Sequence, residues 1–202
     1  MKNILLAILS TLALSPLANA QISSTTYIPT SFDFAAQGAR VSLLTPILST
    51  HLKVSGENYN DEAETNTGSI FGLSFGYAQL PIRSLGFMAD FAVFSLSEDG
   101  NESAMGRLSG NLAYSFNSKF YLKGGLNVFR FLNSAGNMTM KPGFGGQAGI
   151  GAQMTPNLGI ETSYVVMKTS SEETLYDHYN QEHKFDVSAT LSGLEIAVTA
   201  TF

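Results

Sequence analysis

The sequence predicts an all-β chain, an eight-stranded antiparallel up-and-down transmembrane β-barrel preceded by a cleavable signal peptide. Three observations predict it. Apolar residues alternate with small or polar residues in short segments along the whole chain. After Gln21 no run of 18 apolar residues occurs, so a membrane span has to be a strand. Only 13% of the residues are charged, against about a quarter in typical soluble domains.

The N-terminus has the three-part pattern of a signal peptide. Lys2 supplies a positive charge, the run from Ile4 to Leu14 is apolar, and Ala18-Asn19-Ala20 supplies small residues. We expect cleavage after Ala20, and Gln21 in place of a cysteine gives no indication of a lipid anchor. The predicted organisation is a signal peptide over 1–20, a periplasmic lead-in over 21–36 and a barrel domain over 37–202.

The alternation indicates eight strands. In the second of them Phe71, Phe75 and Tyr77 share one face, while the other face carries glycine, serine and alanine. The first strand contains Pro46, so we expect a bulge or bend there. The predicted strands are 37–54, 69–80, 85–96, 105–116, 120–131, 141–154, 158–168 and 191–202.

The connections between these strands alternate in length. The long ones are 55–68, 97–104, 132–141 and 169–184, and the short ones are 81–84, 117–119 and 155–157. Outer-membrane barrels have short periplasmic turns and longer extracellular loops. We therefore expect the outer membrane of a Gram-negative type of cell, with both termini in the periplasm and the long loops outside.

Alternation alone also fits a soluble secreted barrel, in which the apolar face turns inward. The small residues of the second face would make a poor soluble surface, but they fit the narrow interior of eight strands. An interfacial girdle is expected near the periplasmic ends, as in membrane barrels. Its predicted members are Tyr77, Tyr114, Phe116, Phe120, Tyr121 and Phe202.

The signal peptide, the alternating strands and the last strand, Leu194 to Phe202, together resemble the OmpA- and OmpX-type family of eight-stranded outer-membrane barrels. The resemblance implies that Phe202, a C-terminal aromatic residue, is part of the signal read by the outer-membrane insertion machinery. It also implies periplasmic chaperones as partners during assembly, and outer-membrane lipid and lipopolysaccharide as partners afterwards.

Strand parity points a balanced set of charges into the lumen. Three are positive and three are negative, so we expect an internal salt-bridge network that plugs the barrel. The alternative is a gate on a narrow conducting pathway. The residues of this predicted network are Arg40, Asp90, Arg107, Lys123, Glu161 and Glu195.

Most acidic residues fall in the predicted long loops, where they form either a solvated surface or a place for Ca²⁺ or Mg²⁺ next to lipopolysaccharide phosphates. No metal or cofactor site is predicted, because no ligand spacing supports one. The acidic balance argues against nucleic acid as a partner. The loop acids are Glu57, Asp61, Glu62, Glu64, Glu98, Asp99, Glu102, Glu172, Glu173, Asp177 and Glu182.

The histidines His51, His178 and His183 have serines nearby in the sequence, but a catalytic nucleophile needs a base oriented by a third group. We therefore predict no enzyme. The predicted function is structural or surface-interacting, with an unidentified extracellular ligand. The alternatives are a small porin or OmpW-like channel for small solutes, and a lipid-modifying enzyme of the acyltransferase or deacylase type.

Overall fold

The computed structural model describes residues 34–56, 59–66, 70–98, 101–133, 140–176 and 182–202. The expected signal peptide and most of the expected lead-in lie outside this part of the chain. Within it, no helix is long and apolar enough to span a membrane.

These residues form nine β-strands, and every paired neighbour is antiparallel. The strands are β1 (Phe34–Gly56), β2 (Tyr59–Asn66), β3 (Ile70–Pro81), β4 (Leu85–Glu98), β5 (Asn101–Ser115), β6 (Phe120–Asn133), β7 (Gly143–Thr155), β8 (Leu158–Tyr176) and β9 (Glu182–Thr201).

The sheet closes because β1 pairs with β9 along one edge. Along its other edge β1 pairs first with β3, over its N-terminal part, and then with β2, over residues 49–56. Strands β2 and β3 therefore occupy a single barrel position, one after the other along the same edge of β1. The result is a closed eight-stranded barrel, which confirms the predicted fold.

The bulge or bend expected at Pro46 is absent on the β9 edge of β1. The ladder between β1 and β9 keeps one register from Arg40 to Gly56, with Pro46 opposite Glu195. On the other edge the register does shift near Pro46, because Leu44 pairs with Gly72 on β3 whereas Ser49 pairs with Asn66 on β2, one residue out of step. Proline has no N–H to donate, so within a strand it is found where the ladder is irregular.

The two ends of the barrel differ, and we name them here. At the turn end β3–β4, β5–β6 and β7–β8 are joined by tight connections, while at the hairpin end the strands run further than the sequence predicted. Strands β8 and β9 pair from Leu158–Ala200 out to Tyr176–Glu182, so the predicted loop over 169–184 is largely strand. The predicted loop over 55–68 likewise contains β2.

The outer wall of the barrel is apolar. Leu108, Leu112, Leu126 and Ile150 are each about 60% exposed or more, with polar or small residues turned inward between them. In a soluble barrel the apolar face would turn inward, so this wall is suited to lipid.

Aromatic side chains ring the turn end. Tyr77 and Phe87 stack with ring centroids 6.0 Å apart. Tyr114 and Phe116 pack edge to face at 5.4 Å. Tyr121 does not belong to this girdle, contrary to the prediction, because its ring points into the lumen and is 1% exposed.

Candidate functional site: the barrel lumen

The lumen is filled in three layers. A turn-end apolar layer consists of Ala35, Ala36, Ala78, Leu80, Met88, Ala113 and Tyr121. A hairpin-end apolar layer consists of Leu44, Leu48, Ile70, Ala92, Phe94, Met105, Phe129, Val165, Met167, Ala189, Leu191 and Ala197. Between them lies a central polar layer, and the structure places all six charges named from the sequence there.

Glu161 on β8 is the hub of the central layer. Arg40 on β1 donates through Nη2 to Glu161 Oε1 at 2.5 Å. Lys123 on β6 donates through Nζ to Oε2 at 2.5 Å, and the Tyr121 hydroxyl donates to Oε1. Because the donors come from β1 and from β6 on the opposite side of the barrel, the Glu161 carboxylate links three strands across the lumen.

A second ion pair lies beside the hub. Arg107 on β5 binds Glu195 on β9 with two hydrogen bonds, Nη1 to Oε2 at 2.8 Å and Nη2 to Oε1 at 2.9 Å. This bidentate geometry is the strongest that a guanidinium and a carboxylate form. The Arg107 guanidinium also lies 4.8 Å from the centre of the Phe94 ring, at the border of the hairpin-end apolar layer.

Asp90 on β4 is the remaining lumen acid and differs from the other two. It is half-buried, its Oδ1 atom accepts no hydrogen bond from protein groups in the described residues, and it lines a small central cavity of about 20 Å³. The Nη1 of Arg40 faces this layer without a protein acceptor. Such a cavity is large enough for a single water molecule, which needs polar partners of this kind.

Uncharged polar groups complete the layer. Gln147 donates to Asn111 Oδ1 at 2.8 Å, and Asn127 is 2% exposed. The sequence reasoning named the charges but missed these amides and Tyr121. A signal was present, because Tyr121 lies two residues from Lys123 and therefore shares its inward face.

Inward-facing glycines make room for the large lumen side chains. Opposite Tyr121, on the neighbouring strand, lies Gly151, where an added Cβ atom would come within 2.1 Å of the tyrosine ring. Gly143 stands in the same relation to the Phe129 ring, at 2.3 Å. Large side chains on one strand thus lie opposite glycines on the next strand, and this arrangement fills a narrow lumen without clashes.

The barrel closes at the C-terminus. Ala39 and Phe202 exchange backbone hydrogen bonds of 3.1 and 2.9 Å, and the Phe202 side chain points outward at 54% exposed. The adjacent Gly38 has φ +131°, and an added Cβ atom there would lie 1.9 Å from the Phe202 carbonyl oxygen. Glycine is the residue that tolerates both conditions.

The candidate catalytic histidines are not brought together in the described residues. His51 lies on the outer face of β1, 49% exposed, with its Nε2 atom 3.8 Å from Glu62. Lys53 donates to Glu62 at 2.9 Å, and this hydrogen bond lowers the pKa of the Glu62 carboxyl. His178 and the side chain of His183 lie outside the described residues, which contain no cluster of three or more potential metal ligands.

No protein-family model matches the sequence, and no curated protein sequence matches it. Solved structures do. The outer membrane protein AlkL is 14% identical with a TM-score of 0.48, covering 89% of this chain and 98% of its own. OprG from Pseudomonas aeruginosa is 13% identical with a TM-score of 0.44, covering 83% and 99%. Neisserial surface protein A is 19% identical with a TM-score of 0.39, covering 82% and 99%.

At these identities and TM-scores the similarities carry no inference about what this chain does. The architecture rests on the chain's own strands, which close into an eight-stranded antiparallel barrel with an apolar outer wall. This is the fold of the small OmpA- and OmpX-type outer-membrane barrels.

Proposed function

We propose that this chain is an outer-membrane barrel with a structural or surface-interaction role, whose lumen is plugged by its polar network. The observation that carries the proposal is the triple engagement of Glu161 by Arg40, Lys123 and Tyr121 in the middle of the lumen. A conducting pore needs a continuous water path, and these side chains lie across it.

The apolar layers support the same conclusion from both sides. Leu80 and Met88 at the turn end, and Phe94, Phe129 and Met167 at the hairpin end, are each at most 1% exposed. Water entering the lumen from either end would have to displace these packed side chains before it reached the charges. The central cavity of about 20 Å³ is therefore too small to form a water-filled passage.

The orientation is part of the proposal. Tight turns lie at one end and extended hairpins at the other, which is the asymmetry of outer-membrane barrels with periplasmic turns. The turn end, with Phe202, would then face the periplasm. Beyond the apolar wall, β8, β9, β1 and β2 continue as a paired sheet at the hairpin end, and this projecting sheet is the proposed interaction surface.

A channel for small solutes is the second candidate. The observation that favours it is the hairpin-end apolar layer, because an OmpW-like carrier of apolar solutes needs an apolar entrance of this kind. Its difficulty is the charged layer directly below. Enzymatic activity has weaker support, since in the described residues the candidate base His51 lies 3.8 Å from Glu62 and both side chains are about half exposed.

Conductance in planar lipid bilayers tests the proposal. The mature barrel, verified as folded by its heat-modifiable migration on gels, should give no stable current steps. The triple variant Arg40→Ser, Lys123→Ser and Glu161→Ser removes the hub and leaves the other lumen side chains unchanged. It should conduct more than the native barrel. A matched control carries Lys53→Ser and Glu62→Ser, which removes an exposed ion pair outside the lumen.

Repeatable current steps from the native barrel would overturn the plug and support the channel. Equal silence from the native barrel and the triple variant would show that the apolar layers alone close the lumen, and would remove the polar hub from the proposal.

A further inference from the structure

Two cations interrupt the apolar outer wall on one side of the barrel. Arg130 on β6 and Lys168 on β8 both point outward and are exposed. Their neighbours on the same strand faces are apolar, with Val128 and Leu132 beside Arg130 and Val166 beside Lys168. A charge on a lipid-facing wall is costly near the middle of a bilayer and tolerated at its interfaces.

The position of both cations along their strands places them at an interface. Arg130 is the eleventh residue counted from Phe120 at the start of β6, and Lys168 is the eleventh counted from Leu158 at the start of β8. A tilted barrel strand crosses the hydrocarbon region in about 9–11 residues. Both side chains therefore reach the headgroup level at the hairpin end.

The register brings the two cations near each other. Phe144 on β7 pairs with Val128 on one side and with Lys168 on the other, so a single strand separates the two cations. Neighbouring strands lie about 4.8 Å apart, which puts β6 and β8 about 10 Å apart.

Arg130 and Lys168 have no acidic partner within 4.0 Å among the described residues, unlike Arg40, Lys53, Arg107 and Lys123. The lumen cations are engaged by Glu161 and Glu195, and Lys53 on the wall is engaged by Glu62. On the far side of the barrel the outward residues near the hairpin end are uncharged, such as Phe71 on β3 and Ser95 on β4. Among the described outward residues near the hairpin end, the cations without an acidic partner thus lie between β6 and β8.

We propose that Arg130 and Lys168 form a binding site on the barrel wall for the phosphate groups of an anionic outer-leaflet lipid. Arginine binds phosphate oxygens in a bidentate manner, and lysine extends its charged head to the interface over an apolar stem. Phe144, 69% exposed between the two strands, offers an apolar surface for the acyl chains. The inference rests on the proposed orientation, in which the hairpin end faces the outer leaflet.

Lipid retention tests the site. The barrel is reconstituted in phosphatidylcholine nanodiscs that contain a small fraction of bisphosphorylated lipid A, extracted into mild detergent, and the phosphorylated lipid retained per barrel is measured by native mass spectrometry. The test variant carries Arg130→Gln and Lys168→Gln. The control carries Arg83→Gln and Lys119→Gln, two exposed cations of the turn end, so its net charge changes equally. Inorganic phosphate in place of lipid A, in a parallel arm, distinguishes a site for a soluble anion.

The native barrel and the control should retain lipid A equally, and the test variant should lose affinity about fivefold for each cation removed. Equal retention by test and control variants would overturn the site, as would binding of inorganic phosphate with no preference for the lipid. If the test variant does not fold, Arg130→Lys with Lys168→Arg keeps the charge and should retain the lipid. Conductance of the same preparations reports on the plug independently, so failure of either proposal leaves the other measurable.

Discussion

At the scale of single residues, the chain contains buried and exposed ion pairs, and we expect a large effect on stability only from breaking the buried ones. Glu161 is 3% exposed and engaged by two cations, whereas Glu62 and Lys53 are each more than half exposed. Exposed pairs contribute little because water and salt screen them. Removing one member of a buried pair leaves an uncompensated charge in a medium of low polarity, which is strongly destabilising.

Replacement of Glu161 by Gln should therefore lower the free energy of unfolding by about 3–5 kcal/mol. Lys123→Met should cost less, because Arg40 and Tyr121 continue to engage the Glu161 carboxylate. The measurement is a denaturant titration of the barrel in detergent micelles, followed by heat-modifiable migration. Glu62→Gln is the matched control, since it neutralises a carboxylate of the same kind outside the lumen.

If the denaturation midpoints of both lumen variants equal that of the native barrel, the Glu161 hub does not stabilise the barrel. A larger loss of unfolding free energy for Lys123→Met than for Glu161→Gln would show that Lys123, and not the Glu161 carboxylate, organises the central polar layer.

Parity along a strand was enough to place Arg107 and Glu195 on the inward face, because side chains alternate strictly in a regular ladder. Parity does not tell which charges meet. Arg107 meets Glu195 from β5 to β9, and this contact depends on the tilt and closure of the whole barrel. Tyr121 was misassigned for a different reason, since its place near a turn suggested an interfacial aromatic residue.

At the scale of strands, the lumen depends on large side chains that lie over glycine on the neighbouring strand. Tyr121 over Gly151 is the pair that also serves the hub, because this arrangement allows the Tyr121 hydroxyl to reach Glu161. A methyl group at position 151 would push the ring away from its place.

Gly151→Ala should accordingly destabilise the barrel by about 1–3 kcal/mol, the usual cost of overpacking. Gly110→Ala is the matched control, because an added Cβ atom there meets nothing within 4 Å. Both variants are compared by the same denaturant titration. Combining Gly151→Ala with Tyr121→Ala should cost less than the sum of the two single changes, because the clash is then absent. Equal stability of the two glycine variants would contradict this account of the lumen.

The strand ends show where sequence reasoning stops at this scale. The turns at 82–84 and 117–119 were located closely, because their residues favour tight turns and the flanking alternation ends there. The hairpin ends were not, because β2 and the outer parts of β8 and β9 carry the charged and polar residues typical of loops. They are strands because each is paired with a neighbour, which composition does not reveal.

At the scale of the whole molecule, the ladder between β1 and β9 that closes the barrel ends at a close backbone contact between Ala39 and Phe202. The backbone of Phe202 pairs with Ala39, and Gly38 accommodates the Phe202 carbonyl. The Phe202 ring contributes little to this contact, since it points outward from the wall. Its backbone role and its proposed role as an assembly signal can therefore be separated by experiment.

Replacement of Phe202 by Ala should leave refolding into detergent micelles nearly unchanged, because the backbone hydrogen bonds to Ala39 remain and the ring is 54% exposed. In cells the same variant should reach the outer membrane in several-fold lower amounts if the insertion machinery reads the terminal aromatic ring. Folded barrel in membrane fractions is counted by its heat-modifiable form. Phe120→Ala is the control, since that ring is equally exposed at 54% near the same end but is not terminal. Equal assembly of both variants in cells would contradict the signal, and equal loss in cells and in micelles would assign Phe202 a purely structural role.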